Sequence, residues 1–376
     1  MKKGVLIVKI IISKKLSQQG ANSMMKSAQH FYGCLMGGAI GDALGAPVAF
    51  MKYDEIKRLY GEKGLEYLIV PEGVEEALIS DHTQMTLFTA EGLLRSDVKA
   101  HKNQEPRDLD TTLRGVFRAY LRWLYTQGLT TPHWNAKDYD GWLIKVTRLH
   151  AYREPGVTSI TTLGRGIRGS IKRPINDSKG CGGIMRVSPV GLMENKELVF
   201  EMGANTAAIT HSHPTGYLAS GTFATIIHYL IEGENLEGAI EKALCILKGW
   251  EKSEECVLAI DRARELAQKG EPSREKLQSL GEGFLAEEAL AMALYCSLSY
   301  TNDFKAGLLL AVNQDGNSGT VGSLTGNLLG TYLGIEKIDE DWIKKVELNK
   351  EIEEIAEDLY TGYKDTTEWV AKYPGW

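Results

Sequence analysis

The chain has 376 residues, 43% of them hydrophobic and 24% charged, with a formal net charge of −6. That length allows one large domain or two medium ones around a sizeable core, and the mildly acidic balance gives no electrostatic footprint for nucleic acid. Five cysteines lie far apart with no CxxC pair, which argues against structural zinc or a disulfide framework and fits reduced thiols in a cytoplasmic protein.

Residues 1–25 read as an N-terminal extension and residues 26–376 as one domain. Apolar residues 5–8 and 10–12 flank Lys9, a run short of the roughly 20 residues a membrane span needs and without a signal-peptide cleavage site. The expectation is a tail, with no membrane partner. From Ser27 the pattern is helical, with Phe31, Leu35, Ile40 and Leu44 apolar and Gly33, Gly37, Gly38, Gly41 and Gly45 thinning the helix for close packing. Asp42, inside this stretch, is expected to be a buried anchor.

Ser80, Asp81, His82 and Thr83 place oxygen-bearing side chains just ahead of the apolar run Met85, Leu87, Phe88, Ala90 and Leu93, a helix N-terminus. Further helices are predicted over 107–127, 142–149, 206–230, 237–250, 253–269, 285–300 and 341–359. A Gly-rich loop occupies 178–186. His211 and His213 are two residues apart, poor spacing for two ligands on one helix face, so a core or supporting role is expected. The polar turn 313–320 opens a last Gly-rich helix with Gly322, Gly326 and Gly330 at four-residue spacing. With no β-α alternation and no internal repeat, the expected fold class is all-α, a single large multi-helix bundle.

Five stretches together resemble the ADP-ribosylglycohydrolase family: Gly41-Asp42-Ala43-Leu44-Gly45-Ala46-Pro47, Asp81-His82-Thr83-Gln84-Met85-Thr86, Gly180 to Val187, Thr210 to Pro214, and Asn313 to Gly334. They fall in family order from about residue 28 to 335. The resemblance implies an all-α bundle with a two-magnesium site in a central cleft. It also implies cleavage of the bond between the ribose of ADP-ribose and an acceptor such as an arginine guanidinium. Metals would orient the ribose hydroxyls, an acid would assist and water would be the nucleophile.

The positions implied to carry that chemistry depart from the family pattern. At the first metal motif Ser80 and Asp81 are kept, but His82 stands where a second aspartate is implied. In the last turn Asn317 and Gly319 replace aspartates while Thr320 remains, and Ala49 occupies the place of the acid. Val157 stands for an asparagine in the Pro-Gly-Asn-Thr loop. Magnesium prefers hard oxygens in octahedral array, anchored by carboxylates. One surviving aspartate of four predicts Mg2+ binding that is weak or absent. The residues implied to cradle ADP-ribose, Gly180, Cys181, Gly182, Gly183 and His211, are better preserved.

The leading expectation is therefore a pseudoenzyme that binds ADP-ribose, an ADP-ribosylated protein or an ADP-ribosyltransferase, as an immunity or regulatory factor. The alternative is a working Mg-dependent hydrolase with a reorganised site built from Asp81, His82, Asp315 and Asn317. A scaffold with neither binding nor turnover is the third reading. Ala for Glu and Asn for Asp would suit a designed inactivation, whereas His82, Gly319 and Val157 point to natural divergence.

Overall fold

The computed structural model describes residues 27–132 and 134–376; the N-terminal extension lies outside the described residues. Among these residues there are 17 α-helices and no β-strand, as expected for an all-α chain. Three isolated bridges are the only β-type pairings described.

Two helices, Ala28–Gly45 and Ser318–Leu333, run antiparallel through the centre and are buried on nearly all sides, so neither has an amphipathic stripe. Glycine permits their approach. A Cβ added at Gly330 would lie 1.9 Å from the carbonyl oxygen of Gly33, one at Gly326 2.0 Å from that of Gly37, and one at Gly322 2.5 Å from that of Gly41. The next step of the same register brings Gly45 against Ser318. The C-terminus of the first helix and the N-terminus of the second therefore arrive at one point, which is where the site lies.

A third helix, Asp81–Asn103, starts at that same point. Asp42 is fully buried and holds it there. Its carboxylate accepts hydrogen bonds from the Ser80 amide (2.9 Å) and hydroxyl (2.5 Å), and from the Thr83 amide (3.2 Å) and hydroxyl (2.6 Å). Four donors on one carboxylate satisfy a buried charge and two orphan helix amides together. The expected anchoring role of Asp42 is what the structure shows. Farther along, buried Glu91 pairs with buried Arg122 of the helix Leu109–Thr126 at 2.9 Å.

Three predicted helices are broken. Residues 142–149 form two 3-10 turns, Leu143–Lys145 and Thr147–Leu149. The stretch 206–230 divides into Val199–Ala208 and Pro214–Ile231, because Pro214 starts a new helix that the His213 ring caps by accepting from the Thr215 amide. His211 falls in the break. The stretch 341–359 divides into Glu340–Lys345 and Asn349–Thr361. Val346 bridges to Ala77, the Glu347 carboxylate accepts from the Ile79 amide at 3.1 Å, and Leu348 takes φ 62°. That extended insert ties the chain just before Ser80 in place. Among the described residues, no single helix is long and apolar enough to cross a membrane.

Candidate functional site

A cleft of about 630 Å³ opens where these helix ends meet, lined by Ala49, Asp81, His82, Cys181, His211 and Asn317 among others. The volume lies in the range of small-molecule sites. Its mouth is apolar. Phe50, 72% exposed and at φ 68°, stacks on Phe284 with centroids 5.5 Å apart, and its amide donates to the Gly316 carbonyl. A bulky residue held at positive φ beside a cleft is backbone strain kept at a site. Val157, 79% exposed, and Tyr152 complete the rim. The sequence reading missed Phe50, Phe284 and Tyr152, since nothing in their spacing separates them from core aromatics. At Ala49 and Val157, where an acid and an amide are implied by resemblance, the cleft presents alkyl groups.

The floor is built around His82. One ring nitrogen, Nδ1, lies 2.5 Å from the Ser80 hydroxyl and 3.1 Å from Asp81 Oδ1. The other, Nε2, lies 2.7 Å from the Thr320 hydroxyl, in the first turn of the helix Ser318–Leu333. Because the Ser80 proton goes to Asp42, Ser80 is left to accept from Nδ1–H. Burial pushes the His82 pKa down, but the Asp81 hydrogen bond and the charges of Asp81 and Asp42 outweigh it, and the net direction is upward. The imidazole thus joins the two halves of the implied metal site.

The remaining groups are also engaged. The second Asp81 oxygen accepts from the Gly156 amide at 3.2 Å. Asn317 caps its helix, Oδ1 accepting from the Thr320 amide at 3.1 Å, while Nδ2 and the Thr320 hydroxyl donate to Cys181 Sγ at 3.3 and 3.4 Å. Burial pushes the Cys181 thiol up to about 11, so it is not a thiolate at neutral pH. Asp315 is turned elsewhere: it accepts from the Tyr53 amide at 2.7 Å and lies 3.9 Å from both Arg274 and Lys52. Of the reorganised set, Asp81, His82 and Asn317 line the one cleft, whereas Asp315 does not. Among the described residues no three His, Cys, Asp or Glu side chains are grouped to hold an ion. One carboxylate, a neutral amide and a ring whose nitrogens both bond to site hydroxyls do not fit a pair of magnesium ions.

The Gly-rich loop has internal partners of its own. The amides of Gly180 and Cys181 already donate to the Ser178 hydroxyl and the Phe284 carbonyl, so neither is spare for a phosphate. Gly182 serves packing: a Cβ there would fall 2.9 Å from Cε1 and 3.0 Å from Nε2 of His211. Gly183 makes room for Ala207 in the same way. His211 is 3% exposed, and burial, then the nearby Arg186 charge, holds its pKa down at about 3.

That direction has a stability consequence. A neutral buried ring becomes protonated mainly in the unfolded chain, so its contribution is intact above the unfolded pKa near 6.5 and is lost as pH falls toward 3. His211→Asn should remove about 1–2 kcal/mol from the stability loss seen between pH 7 and pH 5. Chemical denaturation of both proteins at the two pH values measures it, and an unchanged loss would rule out a buried neutral ring.

Comparisons with known proteins agree with this fold. The family model described as ADP-ribosylglycohydrolase matches residues 24–368. ADP-ribosylhydrolase ARH3 aligns with 23% identity over 92% of this chain and 95% of the Mus musculus protein. With the Bos taurus protein identity is 26%, over 49% of this chain and 58% of that protein. ADP-ribosyl-[dinitrogen reductase] glycohydrolase of Rhodospirillum rubrum is 24% identical over 85% of this chain and 91% of that protein. A solved structure titled ADP-ribosylglycohydrolase-related protein complex superposes with a TM-score of 0.56 at 24% identity, covering 89% of this chain and 98% of that one. The chain belongs to the ADP-ribosylglycohydrolase family.

Proposed function

We propose that this cytoplasmic chain holds ADP-ribose, free or attached to a protein, in the cleft and does not cleave it. The observation that carries the reading is the His82 ring lying between Ser80 and Thr320, with an alkyl group at Ala49 in place of an acid. Binding needs a cavity of suitable size with a few directed polar groups. The cleft offers about 630 Å³ with His211 in its wall. Hydrolysis by the implied route would need clustered carboxylates and a general acid. Such a binder suits a regulatory or immunity role toward modified proteins or the transferase that modifies them.

The second reading is an active hydrolase. It is favoured by the relatives, an ADP-ribosylhydrolase and an ADP-ribosyl-[dinitrogen reductase] glycohydrolase.

Calorimetry with ADP-ribose, together with a release assay on ADP-ribosylated arginine in Mg2+ and Mn2+, separates the two. Micromolar-range binding with no release in either metal is the expected result. Metal-dependent release that Asp81→Ala abolishes would establish the hydrolase instead.

A further inference from the structure

Arg186 is 0% exposed, yet among the described residues it makes no ion pair with a carboxylate. A buried guanidinium without a paired anion is costly, several kcal/mol by general experience. Its direct contacts are weak and neutral, and the Asp81 carboxylate acts on it only through space. The guanidinium sits 4.3 Å over the Tyr120 ring and donates to the Ser159 hydroxyl (3.4 Å), the Thr206 carbonyl (3.4 Å) and Met85 Sδ (3.5 Å). The one short contact runs from Nη2 to the Thr210 hydroxyl oxygen, at 2.6 Å. Thr210 Oγ1 in turn lies 2.8 Å from His211 Nδ1.

Hydrogen-bond polarity orders this row. Arginine has only donors, so the Thr210 oxygen receives. Its single proton has one described partner, His211 Nδ1; the arrangement that leaves no hydroxyl proton unpaired in this buried row has Thr210 donating to a bare Nδ1. The ring proton therefore sits on Nε2. That atom faces the Gly180–Gly182 loop: a Cβ placed at Gly182 or Gly180 would fall 3.0 or 3.8 Å from it. His211 lines the cleft, and no hydrogen bond of Nε2 occurs among the described residues.

We propose that Arg186, acting through Thr210, fixes His211 in the neutral Nε2–H tautomer, so that the cleft offers a directed donor here and no charge. Arg186 and Thr210 are then positioning residues, and His211 is the residue that touches the ligand. The ligand group it takes is a hydrogen-bond acceptor, such as a ring nitrogen, a sugar oxygen or a phosphate oxygen. Groups with donors only are rejected, because they would leave Nε2–H buried and unpaired. The identity of that ligand rests on the ADP-ribose reading, while the tautomer does not.

The test uses the full chain labelled with 15N-histidine. Two-bond 15N–1H spectra at pH 7 should show His211 with a protonated Nε2 and a bare Nδ1. A proton on Nδ1, or on both nitrogens, overturns the proposal, and this readout needs neither ligand nor variant. Thr210→Val should let the tautomers mix, whereas Thr210→Ser should keep Nε2–H; an unmixed spectrum in Thr210→Val overturns the relay. ADP-ribose affinity should fall about two- to tenfold in Thr210→Val and stay within about twofold in Thr210→Ser. Equal affinities in the two variants overturn the donor role. Failure of the unaltered chain to bind ADP-ribose would count against the proposed function alone, since the spectra decide the relay.

Discussion

Gly326→Ala is expected to prevent folding, while Gly319→Ala, seven residues earlier on the same helix, is expected to be neutral or mildly stabilising. At Gly326 the new Cβ would lie 2.0 Å from the Gly37 oxygen, 2.5 Å from the Gly37 carbonyl carbon and 3.1 Å from the Gly38 nitrogen. All three are backbone atoms of a buried helix, so no side chain can rotate away. Relief requires the two central helices to separate, which would open the neighbouring contacts at Gly322 and Gly330 as well. A loss above about 5 kcal/mol would consume most of the stability a domain usually has. At Gly319 the nearest atoms to a Cβ are Ala46 Cα and N at 3.7 Å and Asn317 Oδ1 at 3.8 Å, which is ordinary contact. Alanine in a helix gains up to about 1 kcal/mol over glycine. Soluble yield and circular-dichroism melting of the two variants measure the contrast. A Gly326→Ala protein that melts within about 5 °C of the parent would refute the close-packed rail.

What was legible in the sequence follows the range of the physics. The glycine rail is legible because it repeats every turn, at 322, 326 and 330 on one helix and at 33, 37 and 41 on the other, and only close backbone contact explains that spacing in a buried segment. The helix start at Ser80 and the anchoring by Asp42 are legible from residue type and burial. His82 reads from sequence as a softer metal ligand. Its actual role depends on a Thr320 hydroxyl 238 residues away, which no local pattern encodes.

Asp315 stands outside the cleft for a related reason. Two residues from Asn317 in sequence, it is drawn off by the Tyr53 amide and by Arg274 and Lys52 from other parts of the chain. The loop at 180–183 has the composition of a phosphate cradle, and the space its glycines make for His211 and Ala207 is a second use that composition does not reveal. The break at Leu348 was hidden because the apolar periodicity of Trp342, Val346, Ile352 and Ile355 runs straight across it. Arg186 gave no signal at all: an arginine in a Gly-rich loop looks like a surface cation until burial is known.

Four of the five departures from the family pattern also set the expected result of reversing them. Ala49→Glu, His82→Asp, Asn317→Asp and Gly319→Asp introduced together should raise ADP-ribosylarginine cleavage at least about 100-fold over the parent chain, in a metal-dependent manner. Three of the changes have room or a reason. Gly319 meets nothing closer than 3.7 Å, an aspartate at 317 can cap the Thr320 amide as Asn317 does, and removing the His82 ring vacates the space between Ser80 and Thr320. Without metal, four carboxylates crowding Asp81 repel one another, so the variant should melt lower than the parent and recover on adding Mg2+ or Mn2+. The parent chain should show no such recovery. Leaving Ala49 in place while changing the other three separates the two halves of the site. Metal should still raise the melting temperature, but cleavage should stay about 100-fold below the fourfold variant because no acid is present. His82→Asp alone should give neither effect, since Asn317 and Gly319 still withhold the opposing carboxylates. A parent chain stabilised by Mg2+ to the same degree as the fourfold variant would mean that the missing aspartates are not what keeps metal out, and the reading of His82 as a bridge would fall with it.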